Sequence, residues 1–534
     1  MFTKKIIVSI LSCIVACHAI AQDSLLLRNY RYVKQSSPWL IQPNAAALSD
    51  YSAHNMAVAE LSINYSNGRF STFGGEQNVL QVGAGIESYY RIGNKTVVFG
   101  SIEYENWTGR DMTGSVFLSK RLPFDIVEAS LENEGEKHRD TYNLAGAIGF
   151  DFYRGYSIGT RLNYTAANYA KYKDLRHKNK LMDLSFLPGL YAPITPWLQA
   201  GVNYNYYRQT ESVAFNTYGK SDKVYKSFID YGAMMGMVEQ FGNEGYTDKS
   251  REMPYFEDGH GCGIQVQVQP CRSLSLYADA SISHATGYYG NRSPYTIAYT
   301  NHNRDVLSLH GRVSLQHDGY EHHVDVNYGS EKLQNSAETF RTFINDMGSP
   351  NYEYYDAVET SDKHWYDFSA DYTLHLDVRG ELPTWTLHTG FRCHKRDVAS
   401  YLYPYYRRQV LSSRELTAAV ERHIVMHRGV WTLAVGGGFQ WGSGDPYVDG
   451  TFVTPSEKQE TAATMDAFMW QDYHLFTAPQ YYLNFGLKYA FRFPGTRLLT
   501  HVRGTFDYRK ANNIKNEYCG RDRTSASVAI GCTF

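Results

Sequence analysis

From about Ala57 to the last residue the chain repeats one pattern, apolar and polar residues in alternation, the period of a β-strand with two unlike faces. In Tyr481 to Phe491 one face carries Tyr481, Leu483, Phe485, Leu487, Tyr489 and Phe491, and the other Tyr482, Asn484, Gly486, Lys488 and Ala490. Between Asp367 and Asp377, Phe368, Ala370, Tyr372, Leu374 and Leu376 oppose Asp367, Ser369, Asp371, Thr373, His375 and Asp377. The pattern predicts strands near residues 57–66, 78–91, 94–105, 140–154, 156–165, 181–191, 197–208, 262–270 and 272–284. It continues at 305–316, 320–330, 366–377, 384–392, 412–425, 430–440, 480–490, 497–508 and 522–534, while a weak strand near Asp111 to Arg121 would alter the count. Such lengths match the roughly 9–11 residues that a tilted strand needs to cross the hydrocarbon layer of a membrane.

Every second connection reads as a tight turn: Gly93-Asn94, Arg154-Gly155, Pro193 to Pro196, Pro270-Cys271, Asp318-Gly319, Arg379-Gly380, His427 to Gly429 and Pro494-Gly495. The others are long, as in Asn106 to Arg139, Gln209 to Gly261, Glu331 to Trp365 and Trp441 to Pro479. A secreted sandwich or propeller gives no reason for this alternation, whereas a membrane barrel with periplasmic turns on one rim and extracellular loops on the other requires it. The expected fold is all-β: a transmembrane antiparallel up-and-down barrel of about eighteen strands, within a range of about 14–18.

Composition agrees. The 534 residues carry no linker rich in Pro, Ser or charge, and 45 Tyr and 44 Gly stand against 16 Pro. A mean hydropathy of -0.44 excludes a helical membrane bundle, and a formal net charge of -2 argues against nucleic acid as a partner. Met1 to Ala21 reads as an export signal, with Lys4 and Lys5 before the apolar Ile6 to Ala16 and a small-residue cleavage site at Ala19-Ile20-Ala21. A rival processing pattern, Ile14-Val15-Ala16-Cys17, resembles a lipoprotein box in which Cys17 is acylated. The expected organisation is a signal peptide at 1–21, a periplasmic or lumenal segment at 22–56 and the barrel at 57–534. Pro38 to Ile41 and Asn44 to Leu48 read as short helix inside the lumen, in a segment too short for the plug domain of a TonB-dependent receptor. Cys262, Cys271, Cys393, Cys519 and Cys532 read as small fillers, with no CxxC among them.

The closing residues Thr524, Ala526, Val528, Ile530, Cys532 and Phe534, opposed by Ser525, Ser527, Ala529, Gly531 and Thr533, resemble the last strand of bacterial outer-membrane proteins. That resemblance makes the terminal aromatic Phe534 the expected signal to the barrel-assembly machinery. With its Ala21-Gln22 signal end and Asp174-Leu175-Arg176 entering the sixth strand, the chain is similar to uncharacterised outer-membrane barrels of Bacteroidetes. The resemblance implies location in the outer membrane and the fold, and no substrate or catalytic residue.

Three patterns carry candidate chemistry, and each has a plainer reading. Gly155-Tyr156-Ser157-Ile158-Gly159 satisfies GxSxG but opens a strand with no helix after it, so hairpin glycines explain it. His317, His322, His323 and Asp325 flank a turn without a strong metal spacing, and Gly436-Gly437-Gly438 lies inside a strand. The polar faces say more. If apolar residues face lipid, the lumen receives Glu60, Glu87, Glu103, Asp151, Asp183, Asp279, Asp325, Asp367, Asp371, Glu415, Glu421 and Asp507, against Arg161, Arg312, Arg392, Lys488 and Arg503. Asp279, Arg312, Asp367, Asp371, Lys488, Arg503 and Asp507 are the lumen candidates singled out. Passage of small hydrophilic or amphipathic solutes, without cofactor, metal or catalysis, is the leading expectation. A surface receptor or accessory subunit of an uptake complex is the alternative, and a barrel-embedded hydrolase the third. The expected partners are outer-membrane lipid, the assembly machinery, and a small solute or an uptake-complex protein.

Overall fold

The computed structural model describes residues 27–534 except 52–54, 72–76, 129–132, 219–222, 243–244, 249–251, 294–295, 494, 497, 513 and 515–518. The expected signal at 1–21, with Cys17, and Pro494 of the last turn lie outside the described residues. Eighteen antiparallel strands form a closed barrel. They are β1 Met56–Asn67, β2 Asn78–Ile92, β3 Thr96–Met112, β4 Gly135–Tyr153, β5 Tyr156–Lys171 and β6 Arg176–Thr195. Then follow β7 Leu198–Asn216, β8 Met253–Cys271, β9 Leu274–Ser293, β10 Thr296–His317, β11 Tyr320–Ala337 and β12 Val358–Arg379. The last six are β13 Leu382–Leu402, β14 Tyr405–Met426, β15 Gly429–Gly444, β16 Gln480–Arg492, β17 Leu499–Ala511 and β18 Asp522–Thr533. Each pairs with the next in sequence, and β18 returns to β1 from Val58↔Thr533 to Asn67↔Thr524, so the barrel has no free edge.

The eighteen strands stand where the alternation placed them, but they are longer than expected, from 12 to 22 residues. The extra length lies on the side of the long connections, where the strands continue beyond the membrane. Two expectations are corrected by this. The long connections shrink to 113–134, 217–252, 338–357 and 445–479, and three more on the same rim, 172–175, 294–295 and 403–404, span only a few residues. Above the bilayer both faces of a strand meet polar surroundings, so the pattern fades although the pairing goes on. On the opposite rim the connections up to 427–428 are tight turns of two or three residues, and the last, 493–498, is longer. Arg154 and Gly155 both take positive φ, 49° and 88°, the handedness that a two-residue hairpin turn needs.

The apolar face points outward. Leu61, Ile102, Ile282, Leu483 and Val528 are each more than half exposed, a cost that a soluble protein avoids and a lipid-facing wall does not incur. Trp197 and Tyr320 sit in or beside the short turns, and the rings of Trp431 and Tyr489 lie 4.5 Å apart near the same rim, where aromatic side chains meet the membrane interface. Phe485 is exposed between Asn484 and Gly486, and a register slip of one residue would turn it into the lumen.

The lumen is occupied from both ends. At the short-turn end, residues 27–51 form α1 Tyr30–Ser36, α2 Pro38–Ile41 and a 3-10 turn at Ala45–Asp50. At the other end a small sheet of Asp125–Glu128, Lys226–Gly232, Met235–Gln240 and Ala463–Thr464 lies across the mouth beside α3 Asp466–Thr477. Phe117, Phe124, Ile126, Ile229 and Tyr246 bury together with Tyr255 of β8 and Tyr289 of β9, which fuses this cap to the wall.

A two-chambered lumen as candidate binding site

The floor of the lumen is the segment 27–51, and its local structure follows from its caps. Asn29 accepts the backbone N–H of Tyr32 at the start of α1, Pro38 opens α2, and Asn44 accepts the N–H of Ala46 at 3.1 Å. The fully buried Asn44 also donates to Leu190 O at 2.9 Å, Val202 O at 3.2 Å and Gln265 Oε1 at 3.0 Å, and so joins β6, β7 and β8. Trp39 donates from Nε1 to Gln199 and Gln267 and meets Tyr191 and Tyr277 edge-on at 5.0 and 5.3 Å. Further round, Arg312 donates to Gln35 O at 2.7 Å, Tyr32 to Glu321 at 2.8 Å and Tyr30 to Glu87 at 2.6 Å, with Lys34 2.7 Å from Glu87. The backbone of 45–49 lies directly on the wall because Gly149 and Gly159 have no side chain there, and Gly189 leaves the room that the Asn44 side chain fills; a Cβ on any of the three would overlap the segment. Ser157 of the GxSxG stretch is buried with its Oγ 2.5 Å from that of Ser49.

The cap is tied down by charge. Glu211 of β7 accepts from Leu118 N at 2.7 Å and Ser119 N at 3.0 Å, Lys363 donates to Leu122 O at 2.8 Å, and Arg121 bridges Glu331 and Asp367 at 2.7 Å each. From α3, Asp466 pairs with Arg407 at 2.6 Å and Asp472 with Arg396 at 2.9 Å.

Among the spaces between cap and floor two have opposite character, while a third of about 570 Å³, lined by Asp279, His310, Asp367, Arg392, His394 and Glu415, carries both signs. The outer of the two, about 550 Å³, is lined by Lys120, Arg121, Arg139, Lys363 and Arg396 and by Asp125, Asp230 and Asp472, with Trp107 and Trp365 in its wall. The Arg139 guanidinium lies 5.1 Å over Trp107, and that of Arg121 5.4 Å over Trp365. Burial pushes the Asp125 carboxyl up to about 7, raises Asp230 and pulls Lys363 down to about 8, so charges of both signs here are weaker than their number implies. Trp107 Nε1, Arg139 Nε and Arg396 Nε, three buried donors, have no hydrogen-bond partner among the described residues; Asp472 Oδ1 is an acceptor in the same state. The inner space, about 600 Å³, is lined by Glu60, Glu87, Glu103, Glu105 and Asp507 with Arg503, and Tyr30 closes it below. Arg139 of the outer space and Glu105 of the inner one form an ion pair at 2.5 Å, so the two adjoin at that contact.

All seven lumen candidates lie on the inward faces of their strands, and most are already paired. Asp279 is 3.1 Å from His310, Arg312 clasps Asp325 at 2.6 and 3.0 Å, and Asp367 is held by Arg121 and by His394 at 2.5 Å. Asp371 is 3.5 Å from His388, Arg503 is 2.5 Å from Glu60, and Lys488 sits within the field of Glu60 and Glu421. Asp507 has no ion pair among the described residues, and neither has Glu103. An interior that reads as acid-rich is therefore largely neutralised, and Glu103 and Asp507 of the inner space are among the acids left without an ion pair among the described residues. At the barrel seam Phe534 donates from its N–H to Ala57 O at 2.9 Å, with its ring exposed. His322 meets Tyr372 on the outer face while His323 meets Ser314 inside, so the two histidines flanking the Gly319 turn point apart. Sequence reasoning missed Trp107, Arg121, Arg139 and Arg396, because all lie where the alternation gives way to loop or to strand above the bilayer.

No curated protein matches the chain. Among solved structures it is similar to the ferric preacinetobactin receptor BauA from Acinetobacter baumannii, at 9% identity and a TM-score of 0.41 over 90% of this chain and 80% of that one. It is also similar to the outer membrane transporter YddB from Escherichia coli, at 6% identity and 0.41 over 90% and 81%. For the FrpB iron transporter from Neisseria meningitidis the values are 8% and 0.37 over 92% and 83%. Residues 45–534, which begin at the 3-10 turn of the floor and end at Phe534, match the model of a family of unknown function, DUF6850, and the chain belongs to that family.

Proposed function

We propose that the protein is a gated transporter of the outer membrane that admits a small polar solute and has residues 27–51 as its gate. The observation that carries this reading is the doubly closed lumen: a floor held by hydrogen bonds from β2 round to β11, a cap held by ion pairs, and polar space between them. An open diffusion pore has no use for a floor bonded to its wall, whereas a transporter that must bind before it releases needs one. The role proposed needs no bond chemistry, and Ser157 of the GxSxG stretch is engaged with Ser49. Conductance in planar bilayers tests the gate. The full chain is expected to show only sparse openings, and the chain lacking residues 27–51 more frequent ones, limited by the cap that remains. A full chain that conducts as freely as the truncated one would overturn the proposal.

One observation favours a second reading, a surface receptor or accessory subunit. The hairpin of Phe340–Ile344 and Pro350–Tyr354 projects from the loop rim with Ile344 74% and Met347 82% exposed, an apolar tip suited to contact with another protein. Removing 340–354 without effect on solute uptake, but with loss of a co-purifying partner, would support it.

A further inference from the structure

We infer that the solute is a zwitterion held across the two chambers, its carboxylate among the cations of the outer chamber and its ammonium group among the carboxylates of the inner one, as a short peptide with free ends would be. This rests on the transporter reading and names its substrate class. The lining of the outer chamber has five cationic side chains against three acids and that of the inner one five acids against Arg503; of those five, Glu60, Glu87 and Glu105 are paired with Arg503, Lys34 and Arg139, which leaves Glu103 and Asp507. The wall already carries the same juxtaposition, because Arg139 and Glu105 meet where the chambers adjoin. A charge of one sign would gain in one chamber and lose in the other. A molecule with opposite charges at its two ends gains in both.

The chambers also hold groups that the protein itself leaves unmatched. In the outer one these are mainly donors: Trp107, 3% exposed, and the Nε atoms of Arg139 and Arg396. A buried donor without a partner is costly, and a carboxylate accepts several such bonds at once. In the inner one Glu103 and Asp507 have no ion-pair partner among the described residues, which suits an ammonium group with three N–H bonds to give. Between these charges the peptide backbone would lie along Gln81, Asn143 and Thr505, a polar wall that fixes no side chain.

Calorimetric titration of the purified full-length barrel in detergent with tetra-alanine tests this. Tetra-alanine with free ends is expected to bind, its N-acetyl and C-amide forms to bind about tenfold more weakly each, and the doubly blocked form not at all. The Glu103→Gln variant should bind the free and N-acetyl forms alike. Lys120→Gln, which breaks no ion pair among the described residues, should narrow the difference between the free and C-amide forms, and Arg396→Gln should do so more strongly. Equal binding of all four peptides, or binding of none, overturns the inference. Transport of other solutes by a barrel that ignores these peptides would overturn it and leave the transporter reading standing. Charge-selective binding by a barrel that moves nothing would uphold the inference and remove that reading.

Discussion

The side chains that decide this molecule divide by what surrounds them. Phe485 faces lipid, so Phe485→Arg near the bilayer midplane should cost about 2–4 kcal/mol in folding measurements in lipid. Asp507→Asn, in the lumen and free of ion pairs among the described residues, should stay within about 0.5 kcal/mol. Equal losses would mean that the strand faces are assigned the wrong way round. In the cap, Asp125 shows how burial becomes a pH effect. It hydrogen-bonds Ser115 at 2.7 Å, stands opposite Asp230 in the small sheet, and is faced by Lys363 and Lys137. With the cap closed its carboxyl holds a proton up to about pH 7, and with the cap open it ionises near about pH 4. At Asp125 the closed cap thus binds more protons between those values, so the contribution of this carboxyl to cap stability is full below the lower one and is lost as pH rises through the upper one, while Lys137, pulled down to about 7 by burial, offsets part of that loss only above about pH 7. Amide exchange at Val116 and Ile229, corrected for intrinsic rates, should be slower at about pH 5 than at about pH 8. Asp125→Asn should flatten that difference, and faster exchange at the acidic value would refute the sign.

At the level of elements, the floor depends on a track of glycines. Gly159→Leu adds a side chain where residues 45–46 lie against β5, while the strand itself keeps its hydrogen bonds, so the 3-10 turn must lift off. Bilayer recordings of this variant should show frequent openings, and those of Gly146→Leu, a position with open space around it, should match the wild type. The glycine track also marks where the sequence stops being readable. Period two located all eighteen strands, because inside the membrane one face meets lipid and the other water, and residues such as Leu483 and Asn484 must differ. Higher up this contrast disappears. β13 runs on past Arg392 through Lys395, Arg396 and Asp397, and β14 begins at Tyr405 rather than near 412, with arginines at 407 and 408 paired across to it. Charged residues fill both faces there, so the run looked like loop. The floor was foreseen as short helix in the lumen, but not its grip. Asn44 meets Gln265 across 221 positions of sequence, and no local spacing encodes such a contact. Gly155 and Gly159 both read as hairpin glycines; only Gly155 makes the turn, and Gly159 makes room for Ala46.

Over the whole molecule, the direction of the barrel and the sign of its interior can be measured together. An epitope inserted at Met347 should be reached by antibody on intact cells and one at Gly319 should not; the reverse result would invert the topology. The interior calls for a finer choice of residues, because most of its carboxylates are partnered. Asp367→Asn would remove a charge but also one of the two carboxylates that hold Arg121, loosening the cap and confounding the current. Glu103 and Asp507 can be neutralised without breaking a pair. In the chain lacking residues 27–51 the floor is gone and Lys34 no longer offsets Glu87, so the inner chamber faces the ion path with Glu87, Glu103 and Asp507 unpaired among the described residues. Fixed carboxylates raise the local concentration of cations within about one Debye length, which is about 10 Å at 0.1 M salt and about 3 Å at 1 M. The reversal potential of this truncated barrel under a salt gradient should therefore indicate cation preference, strongest in dilute salt. Glu103→Gln with Asp507→Asn should shift it towards the anion side. An unchanged potential would place the selective charges elsewhere, with the arginines of the outer chamber as the first alternative, and a preference for anions before any substitution would show that those arginines govern the open path.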